Sequence, residues 1–258
     1  MPISDIFDVS NKVAFVTGAG SGLGRVMAEA MSESGATVVL FDIDKSGLAE
    51  TEHLLSRFGG KVLAIVGDVS DEKAVDQAVE RVSETFGRLD ILFNNAGIGD
   101  PEPGLLHEYA TENWNRVVAI NLTGVFNCAR AVLRVMVEQG SGKIINTASM
   151  WGLAGSSSVF PMPGYTATKG AVVNLTRELA LQYATQNIQV NAICPGFFVT
   201  KLGAYDDAEF VEKVTRFTPM NRLADPSEMK GTALYLASSA SSFVTGTCIV
   251  IDGGCMAK

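Results

Sequence analysis

Short runs of β-branched and other apolar residues alternate with longer amphipathic stretches along the whole chain of 258 residues. The short runs predict seven strands: Lys12–Thr17, Thr37–Asp42, Lys61–Val66, Leu89–Asn94, Lys143–Ala148, Ile188–Ile193 and Cys248–Ile251. The stretches between them predict six helices: Leu23–Ser34, Lys45–Phe58, Asp71–Phe86, Glu112–Glu138, Gly164–Thr185 and Pro226–Ser238. Because this alternation requires parallel crossovers, we predict an α/β fold with a doubly wound, parallel, seven-stranded sheet and helices on both faces.

No linker or internal repeat divides the chain, so we predict one domain over residues 1–258. Most of the predicted strands are apolar throughout, as expected when both faces of a sheet are covered.

Charge and composition argue against several classes of protein. The net charge is −8 and no basic run occurs, which disfavours nucleic acid and anionic membranes as partners. The four cysteines form no Cys-x-x-Cys pair, and neither of the two histidines has a spaced ligand partner, so we expect no disulfide framework and no metal site. The apolar runs are shorter than the roughly 20 residues of a membrane span, and the acidic amino terminus lacks the order of a signal peptide. We therefore expect a cytoplasmic protein.

A glycine-rich turn follows the first predicted strand and leads at once into a helix. It contains Gly18, Ser21, Gly22, Leu23 and Gly24. Glycines let a backbone approach a pyrophosphate closely, and the helix N-terminus favours its charge. The spacing Gly-x-x-x-Gly-x-Gly departs from the strict Gly-x-Gly-x-x-Gly fingerprint, so a purely structural tight turn remains an alternative.

An acid stands at the end of the second predicted strand, eighteen residues after Gly24. A carboxylate at the position of Asp42 can accept hydrogen bonds from the ribose hydroxyls of adenosine and repels a 2′-phosphate. No basic residue follows it directly. With the glycine turn, Asp42 favours NAD over NADP as cofactor.

A tyrosine and a lysine carry groups suited to proton transfer, and further polar residues lie near the same sheet edge. Tyr165 and Lys169 are four residues apart and share one face of a predicted helix, where an ammonium would lower the pKa of the phenol. Ser149 ends the fifth strand at the same sheet edge as the glycine turn. Asn94–Gly97 closes the fourth strand there, and Asn121 lies in the helix that follows.

Taken together, these motifs resemble the short-chain dehydrogenase/reductase family, a Rossmann-type fold, over essentially the full chain. The resemblance rests on their order and spacing: Thr17–Gly24, Asp42, Asp68-Val69, Asn94–Gly97, Asn121, Ser149, Tyr165 with Lys169, Pro195-Gly196 with Thr200, and Asp252-Gly253-Gly254. It implies a dinucleotide-binding part over about residues 10–150 and a catalytic and substrate part over about 149–258. It also implies a homotetramer.

The resemblance assigns roles to single residues. Tyr165 would be the general acid/base, Ser149 would hydrogen-bond the substrate oxygen, and Lys169 would bind the nicotinamide ribose and lower the pKa of Tyr165. Asn121 would hold a water that links Lys169 to solvent. The remaining cofactor contacts carried over are Asp68 and Val69 at the adenine, Asn95, Ala96 and Gly97 at the adenosine, and Pro195, Gly196, Phe198 and Thr200 at the nicotinamide.

Two segments border the expected substrate site. Ser149 and Tyr165 lie sixteen positions apart, a few more than is usual in the family, and the extra length falls in Ser156–Gly164. Past Thr200, a segment from Lys201 through a helix ending at Phe217 is expected to act as a lid with Gly203 as hinge. We expect these segments to form the two walls of the substrate pocket, although a surface loop without substrate contact remains possible.

Two substrate classes fit the sequence, and two other functions are disfavoured. The opening Ile6-Phe7-Asp8, the Pro195–Thr200 segment and Pro226–Gly231 resemble the gluconate 5-dehydrogenase-like branch, which implies a polyol, sugar or sugar-acid substrate. A bulkier hydrophobic alcohol such as a hydroxysteroid is the alternative, with Met150, Trp151, Phe160, Phe197 and Phe198 lining an apolar pocket. A 3-oxoacyl-thioester reductase would call for NADP and a basic patch, which the sequence lacks. A catalytically silent dinucleotide-binding protein is disfavoured because Tyr165 and Lys169 are both present.

Overall fold

The computed structural model describes residues 2–258 and contains one seven-stranded sheet. The strands are β1 Val13–Thr17, β2 Thr37–Asp42, β3 Val62–Val66, β4 Ile91–Asn94, β5 Gly142–Thr147, β6 Ile188–Pro195 and β7 Cys248–Ile251. All neighbouring pairs are parallel, in the order β3-β2-β1-β4-β5-β6-β7. The predicted fold is confirmed.

The helices cover both faces of this sheet. They are α1 Ile3–Ile6, α2 Gly22–Glu33, α3 Lys45–Leu55, α4 Glu72–Phe86, α5 Thr111–Val118, α6 Gly124–Gln139, α7 Pro163–Tyr183, α8 Ala208–Phe217 and α9 Lys230–Ala237. Sequence patterning did not anticipate α1, which is short and has no buried residue. The predicted helices at Lys45–Phe58 and Pro226–Ser238 each include a 3₁₀ turn, at Ser56–Phe58 and Pro226–Met229.

Alternate residues of each central strand point into two separate cores. On one face, Val16 and Leu40 pack with Met27 of α2 and Leu236 of α9. On the other face, the neighbouring strand residues pack with α4 and α6; this core includes Phe15, Val39, Val79 and Val132. Burial on both faces explains why these strands carry almost no polar residues.

The predicted helix Glu112–Glu138 is interrupted. A π-helical turn at Ala119–Thr123 separates α5 from α6, and Asn121 lies within it. Helical periodicity alone does not reveal such a turn, because it inserts only one extra residue into an otherwise regular helix. The run Thr111–Gln139 is also the one stretch of the described residues that is long and apolar enough to cross a membrane, contrary to expectation; 56% of its apolar window is buried inside the fold.

Strand order reverses beside β1, whose two neighbours are β2 and β4. The connections from these strands leave in opposite directions, which opens a crevice at the carboxyl edge of the sheet. Ligands of doubly wound folds bind at such a point. Asp42 is the last residue of β2 at this edge, where the glycine turn follows β1 and Asn95 follows β4.

Candidate active site

A cleft of about 710 Å³ lies along the carboxyl edge of the sheet. Of the predicted catalytic residues, Ser149, Tyr165 and Lys169 line it. All of the predicted cofactor residues except Gly24 line it as well: Gly18, Ser21, Gly22, Leu23, Asp42, Asp68, Val69, Asn95, Ala96, Gly97, Tyr165, Lys169, Pro195, Gly196, Phe198 and Thr200. Gly24 and Asn121 lie behind this lining.

Backbone geometry explains the glycines of the turn after β1. Gly18 and Gly22 have positive φ angles of 66° and 53°, which residues with a side chain rarely adopt. Gly24 has a different reason: a Cβ there would collide with the carbonyl oxygen of Gly18. This third glycine therefore lets α2 pack directly against the turn and does not itself face the cleft.

The start of α2 provides the features that a pyrophosphate needs. Ser21, the residue before the helix, makes no side-chain bond to its first N–H groups. By contrast, Asp44, Asp71 and Asp207 cap α3, α4 and α8 with their carboxylates. Because the uncapped N–H groups of α2 face a cleft lined by the glycine turn, the site fits the phosphates of a dinucleotide.

Asp42 shapes the turn as well as facing the cleft. Its Oδ2 accepts a 2.8 Å hydrogen bond from the N–H of Gly20, and its Oδ1 accepts one of 2.9 Å from the N–H of Asp44. Sequence reasoning overlooked Arg25, whose Nη2 donates to the Gly20 carbonyl at 2.6 Å and to Glu50 at 2.9 Å. Because its guanidinium is committed to these groups, Arg25 supports the turn from behind.

Residues 95–97 are held by side chains of the neighbouring strands. The hydroxyl of Thr17 accepts from the N–H groups of Asn95 and Ala96 at 2.9 and 3.0 Å. The Asn95 amide in turn donates to the Thr17 carbonyl at 3.1 Å and accepts from the Thr147 hydroxyl at 3.2 Å. These bonds connect β1, β4 and β5 at the floor of the cleft.

Ser149, Tyr165 and Lys169 approach one another at the centre of the cleft. The Lys169 ammonium is buried, donates to the Thr147 carbonyl at 2.7 Å and lies 5.6 Å from the centre of the Tyr165 ring. Burial lowers the pKa of Lys169 to about 8. The Ser149 hydroxyl accepts from the Trp151 N–H at 3.1 Å.

Burial also has the largest effect on Tyr165. It raises the pKa of the phenol, and the carboxylate of Asp100 and the thiol of Cys194 raise it further, whereas the Ser149 hydroxyl lowers it. The expectation that Lys169 lowers this pKa is therefore not met by the protein groups alone. The physical reason is that desolvation of the phenolate outweighs an ammonium that is itself buried and committed to a carbonyl.

Asn121 has a structural role that the sequence did not reveal. Its side chain accepts from the Ile98 N–H and donates to the Ile98 carbonyl, both at 2.8 Å. A Cβ at Gly97 would lie 3.2 Å from the Asn121 Oδ1 and 3.3 Å from the Lys169 Nζ. The π-helical turn thus brings Asn121 next to Lys169 as expected, while its amide fixes the loop after β4.

Asp100 is a second charged residue that no sequence motif indicated. Asp100 is only 8% exposed, and its carboxylate accepts from the N–H groups of Gly164 and Tyr165 at 3.2 and 2.8 Å. It therefore caps the helix that carries Tyr165 and Lys169, the predicted catalytic pair. The Gly-Asp-Pro sequence after Gly97 is typical of an ordinary loop, so no local signal pointed to this contact.

The segment after β6 closes over the cleft. A Cβ at Gly196 would lie 2.7 Å from the Cα of Asp252, so glycine is needed for this crossing. Phe198 pairs with Ala224 as an isolated bridge, and Thr200 packs close to Gly22 of the glycine turn. The predicted nicotinamide segment thus spans the cleft from β6 to the start of α2.

Aromatic side chains form the wall beyond Tyr165. Phe160, from the extra length before α7, stacks on Phe210 of α8 with ring centroids 5.7 Å apart. The ring centroid of Trp151 lies 6.3 Å from that of Phe197 and 5.6 Å from that of Phe217. The two segments expected to flank the substrate therefore meet. The predicted hinge, Gly203, packs under the ring of Tyr205, and both line the cleft.

Comparisons with known proteins agree with this geometry. A family model described as enoyl-(acyl carrier protein) reductase matches residues 18–256. The chain is 40% identical over 245 residues to cis-4-hydroxycyclohexanecarboxylate dehydrogenase of Sinomonas cyclohexanicum, covering 95% of this chain and 96% of that one. It is 36% identical over 254 residues to 5-keto-D-gluconate 5-reductase of Escherichia coli (strain K12), covering 98% of each.

Solved structures of dehydrogenases are also similar to this chain over its full length. A short-chain type dehydrogenase/reductase from Mycobacterium marinum superposes with a TM-score of 0.95 at 36% identity, covering 100% of both chains. A gluconate 5-dehydrogenase from Burkholderia cenocepacia J2315, in complex with NADP and tartrate, superposes with a TM-score of 0.93 at 34% identity, again covering 100% of both chains.

Proposed function

Because this chain belongs to the short-chain dehydrogenase/reductase family, we propose that it is an NAD-dependent oxidoreductase acting on a secondary alcohol or ketone. The observation that carries the proposal is the convergence of Ser149, Tyr165 and Lys169 in the cleft that begins at the uncapped N-terminus of α2. A protein that only binds dinucleotides would not need a phenol, a hydroxyl and a buried ammonium beside the nicotinamide end.

The proposed chemistry divides between cofactor and protein. When bound, the nicotinamide ring supplies the hydride acceptor for alcohol oxidation, or the hydride donor for ketone reduction. In oxidation, the Tyr165 phenolate removes the proton of the alcohol oxygen while the Ser149 hydroxyl hydrogen-bonds to the same oxygen. The hydride leaves the adjacent carbon, and a ketone remains. In reduction, Tyr165 returns the proton.

Lys169 and Asn121 support this proton transfer. The ammonium of Lys169 would bind the nicotinamide ribose, and its charge would favour the phenolate of Tyr165. Asn121 would hold a water on the route to solvent; because the Ile98 backbone already occupies its amide, that water would use a remaining acceptor of the residue.

The proposed preference for NAD rests on Asp42. Its carboxylate lines the cleft at the end of β2, where it would accept from ribose hydroxyls and repel a 2′-phosphate. The similar gluconate 5-dehydrogenase structure holds NADP, so the preference for NAD is proposed from Asp42 alone. Comparing kcat/KM for NAD and NADP tests this part of the proposal, and equal values would remove the role given to Asp42.

Two substrate classes are supported by different observations. The branch resemblance and the 5-keto-D-gluconate 5-reductase relative favour a polyol, sugar or sugar acid. The aromatic wall of Trp151, Phe160, Phe197 and Phe210 favours a ketone or alcohol with an apolar body. The three phenylalanine rings form no hydrogen bonds with a hydroxylated substrate, and Trp151 has only its indole N–H to donate. Of the two, the geometry of the pocket favours the apolar substrate.

A substrate panel tests the activity and separates the classes. Purified protein is incubated with NAD and either gluconate-type acids and polyols or cyclic secondary alcohols, and the formation of NADH is followed by absorbance. Higher kcat/KM for the cyclic alcohols supports the apolar assignment, and higher values for the polyols contradict it. No turnover with either class or with the matching ketones, despite NAD binding, supports a non-catalytic protein.

We further propose a homotetramer in the cytoplasm, without nucleic acid or membrane as partner. The exposed apolar side chains Trp114, Phe126 and Val137 on α5 and α6, and Val250 on the edge strand β7, support an assembly that covers them. Light scattering is expected to give four times the chain mass of 27.3 kDa; a monomer at micromolar concentration would contradict it.

A further inference from the structure

We infer that Asp100 is a positioning residue: its buried carboxylate fixes the first turn of α7, and with it Tyr165, against the loop that Asn121 holds from the other side. The inference rests on the proposed function, because it takes Tyr165 as the proton-transfer group. It adds to it a residue that contacts neither the expected substrate nor the cofactor.

The cap on α7 comes from a distant part of the chain. The helix has no side-chain cap from its own preceding residue, Met162. Instead, the two oxygens of Asp100 accept from the N–H groups of Gly164 and Tyr165 at 3.2 and 2.8 Å. Since one of these donors is the backbone N–H of Tyr165 itself, any displacement of Asp100 moves the residue that bears the phenol.

The loop that carries Asp100 is held at its other end by Asn121. Both polar atoms of the Asn121 amide bind the backbone of Ile98 at 2.8 Å, two residues before Asp100. Its Nδ2 also lies 3.4 Å from the hydroxyl of Thr168, on α7 next to Lys169. Residues 98–100 therefore form a short bridge between the π-helical turn and the start of α7.

The contact between Asp100 and the first turn of α7 leaves no room for a side chain at Gly164. A Cβ at Gly164 would lie 2.9 Å from the Asp100 Oδ1 and 3.0 Å from the Tyr109 hydroxyl, so these groups surround one point. Burial and the Asp100 carboxylate together raise the pKa of Tyr109 well above its usual value, which keeps that phenol neutral. A neutral phenol beside the carboxylate avoids the repulsion of two buried anions.

The charge of Asp100 also reaches the phenol of Tyr165. The titratable groups around that phenol are Lys169 on α7, Cys194 on β6, Tyr205 after Thr200, and Asp100. A nearby carboxylate disfavours the phenolate, so Asp100 raises the pKa of Tyr165. Removal of this charge should lower the pKa and move the rise of alcohol oxidation to lower pH.

Two substitutions separate the cap from the charge. In Asp100→Ala both accepted bonds are lost, and we expect kcat to fall about 10- to 100-fold with little change in KM for NAD, since the cofactor cradle is untouched. In Asp100→Asn one amide oxygen still accepts from the helix; we expect kcat to recover much of the loss, and the pH profile of oxidation to shift to lower pH.

Asp90→Asn is the matched control. Asp90 is also a buried carboxylate that accepts from a backbone N–H, that of Val13 at 2.9 Å, but it lies at the amino edge of the sheet, away from the cleft. We expect this variant to lower Tm without changing kcat or the pH profile.

The kinetics and stability of these variants decide whether Asp100 positions Tyr165. Wild-type kcat and pH profile in Asp100→Ala, with only Tm lowered as in Asp90→Asn, would reduce Asp100 to a structural cap and overturn the inference. If Asp100→Ala does not fold, the pH profile of Asp100→Asn decides, and an unshifted profile overturns it. Tyr165→Phe tells the two failures apart: if that variant stays active, the proposed mechanism is wrong, whatever Asp100 does.

Discussion

The cofactor half and the substrate half of the cleft are built by different means. Around the glycine turn and residues 95–97, the shape depends on backbone conformation and on hydrogen bonds such as those from Gly20 to Asp42 and from Asn95 to Thr17. Beyond Tyr165, the wall consists of aromatic side chains from three separate segments, held to one another by packing. Few sequences can form a glycine turn of this shape, whereas many combinations of apolar side chains can form such a wall.

This difference explains why the cofactor is easier to predict than the substrate. A dinucleotide presents the same phosphates and riboses to every protein, so the same backbone geometry recurs. A substrate pocket changes with each side chain that lines it, and similar proteins with full coverage carry names as different as 5-keto-D-gluconate 5-reductase and cis-4-hydroxycyclohexanecarboxylate dehydrogenase. Substitutions in each half test where the boundary between them lies.

The largest effect is expected at Tyr165, where the halves meet. In Tyr165→Phe the ring and its packing remain while the hydroxyl proposed to transfer the proton is lost. We expect kcat to fall by about 10²- to 10⁴-fold with NAD affinity unchanged. Steady-state kinetics and NAD titration by fluorescence measure the two quantities. A parallel loss of NAD affinity would mean that the halves are not separable at this residue.

Gly24→Ala should damage the cofactor half alone. The added methyl group collides with the carbonyl of Gly18, so α2 must move away from the turn. We expect the free energy of unfolding to fall by about 1–3 kcal/mol, together with a marked loss of NAD affinity. Gly231→Ala in α9 is the matched control, because a Cβ there meets no atom within 4 Å; it should stabilise the protein by about 0.5–1 kcal/mol. Urea unfolding of both variants checks this.

The buried ammonium of Lys169 should make the free energy of unfolding depend on pH. Its pKa is lowered to about 8 by burial, below its ordinary value near 10.5. Between these two pKa values the unfolded chain therefore binds more protons than the native chain. The burial of the Lys169 ammonium destabilises the native state fully below pH 8, and this destabilisation disappears as pH rises towards 10.5. Without cofactor, the free energy of unfolding of the wild type should rise with pH over this range by about 1 to 3 kcal/mol more than that of Lys169→Met.

Lys143→Met is the control for that experiment. Lys143 is also partly buried with a pKa lowered to about 8, but it donates to Ser241 at the opposite edge of the sheet. Both substitutions should flatten the pH dependence of unfolding, and only Lys169→Met should also affect catalysis. If the profile of Lys169→Met matches wild type, Lys169 is not the buried ammonium described above.

Asp42→Asn should change the choice of cofactor. We expect wild type to prefer NAD over NADP by at least about tenfold, or roughly 1.4 kcal/mol, and the variant to lose most of this preference. The amide oxygen still accepts from one N–H of the turn, so the fold of the cradle is less disturbed than by Asp42→Ala. Ratios of kcat/KM for the two cofactors provide the measurement.

The smallest effect is expected from shortening the connection between Ser149 and Tyr165. Removing residues 156–158 should shift Phe160 away from Phe210 and change the ranking of substrates several-fold, while NAD affinity stays constant. Relative kcat/KM across a panel of alcohols decides. An unchanged ranking would show that this wall does not contact the substrate.

Asn121 and Asp100 show how far sequence reasoning reached into the site. Asn121 could be placed beside Lys169 by resemblance, yet its grip on Ile98 depends on a π-helical turn that periodicity does not reveal. Asp100 lies 65 positions from Tyr165 in sequence, and neither its type nor its neighbours distinguish it from a surface loop acid. Contacts of this kind exist only after the chain has folded.

Local sequence patterns were enough to predict the sheet and the elements of the cofactor cradle. Strand and helix periods, glycines with positive φ and an acid at the end of β2 are local properties, and each is set by the backbone geometry of a few adjacent residues. Tertiary structure alone decided the cap that Asp100 places on α7, the balance of burial and charge at Tyr165, and the aromatic wall where Phe160 meets Phe210. These depend on side chains brought together from distant segments, and their energies come from burial and packing, which no local pattern encodes.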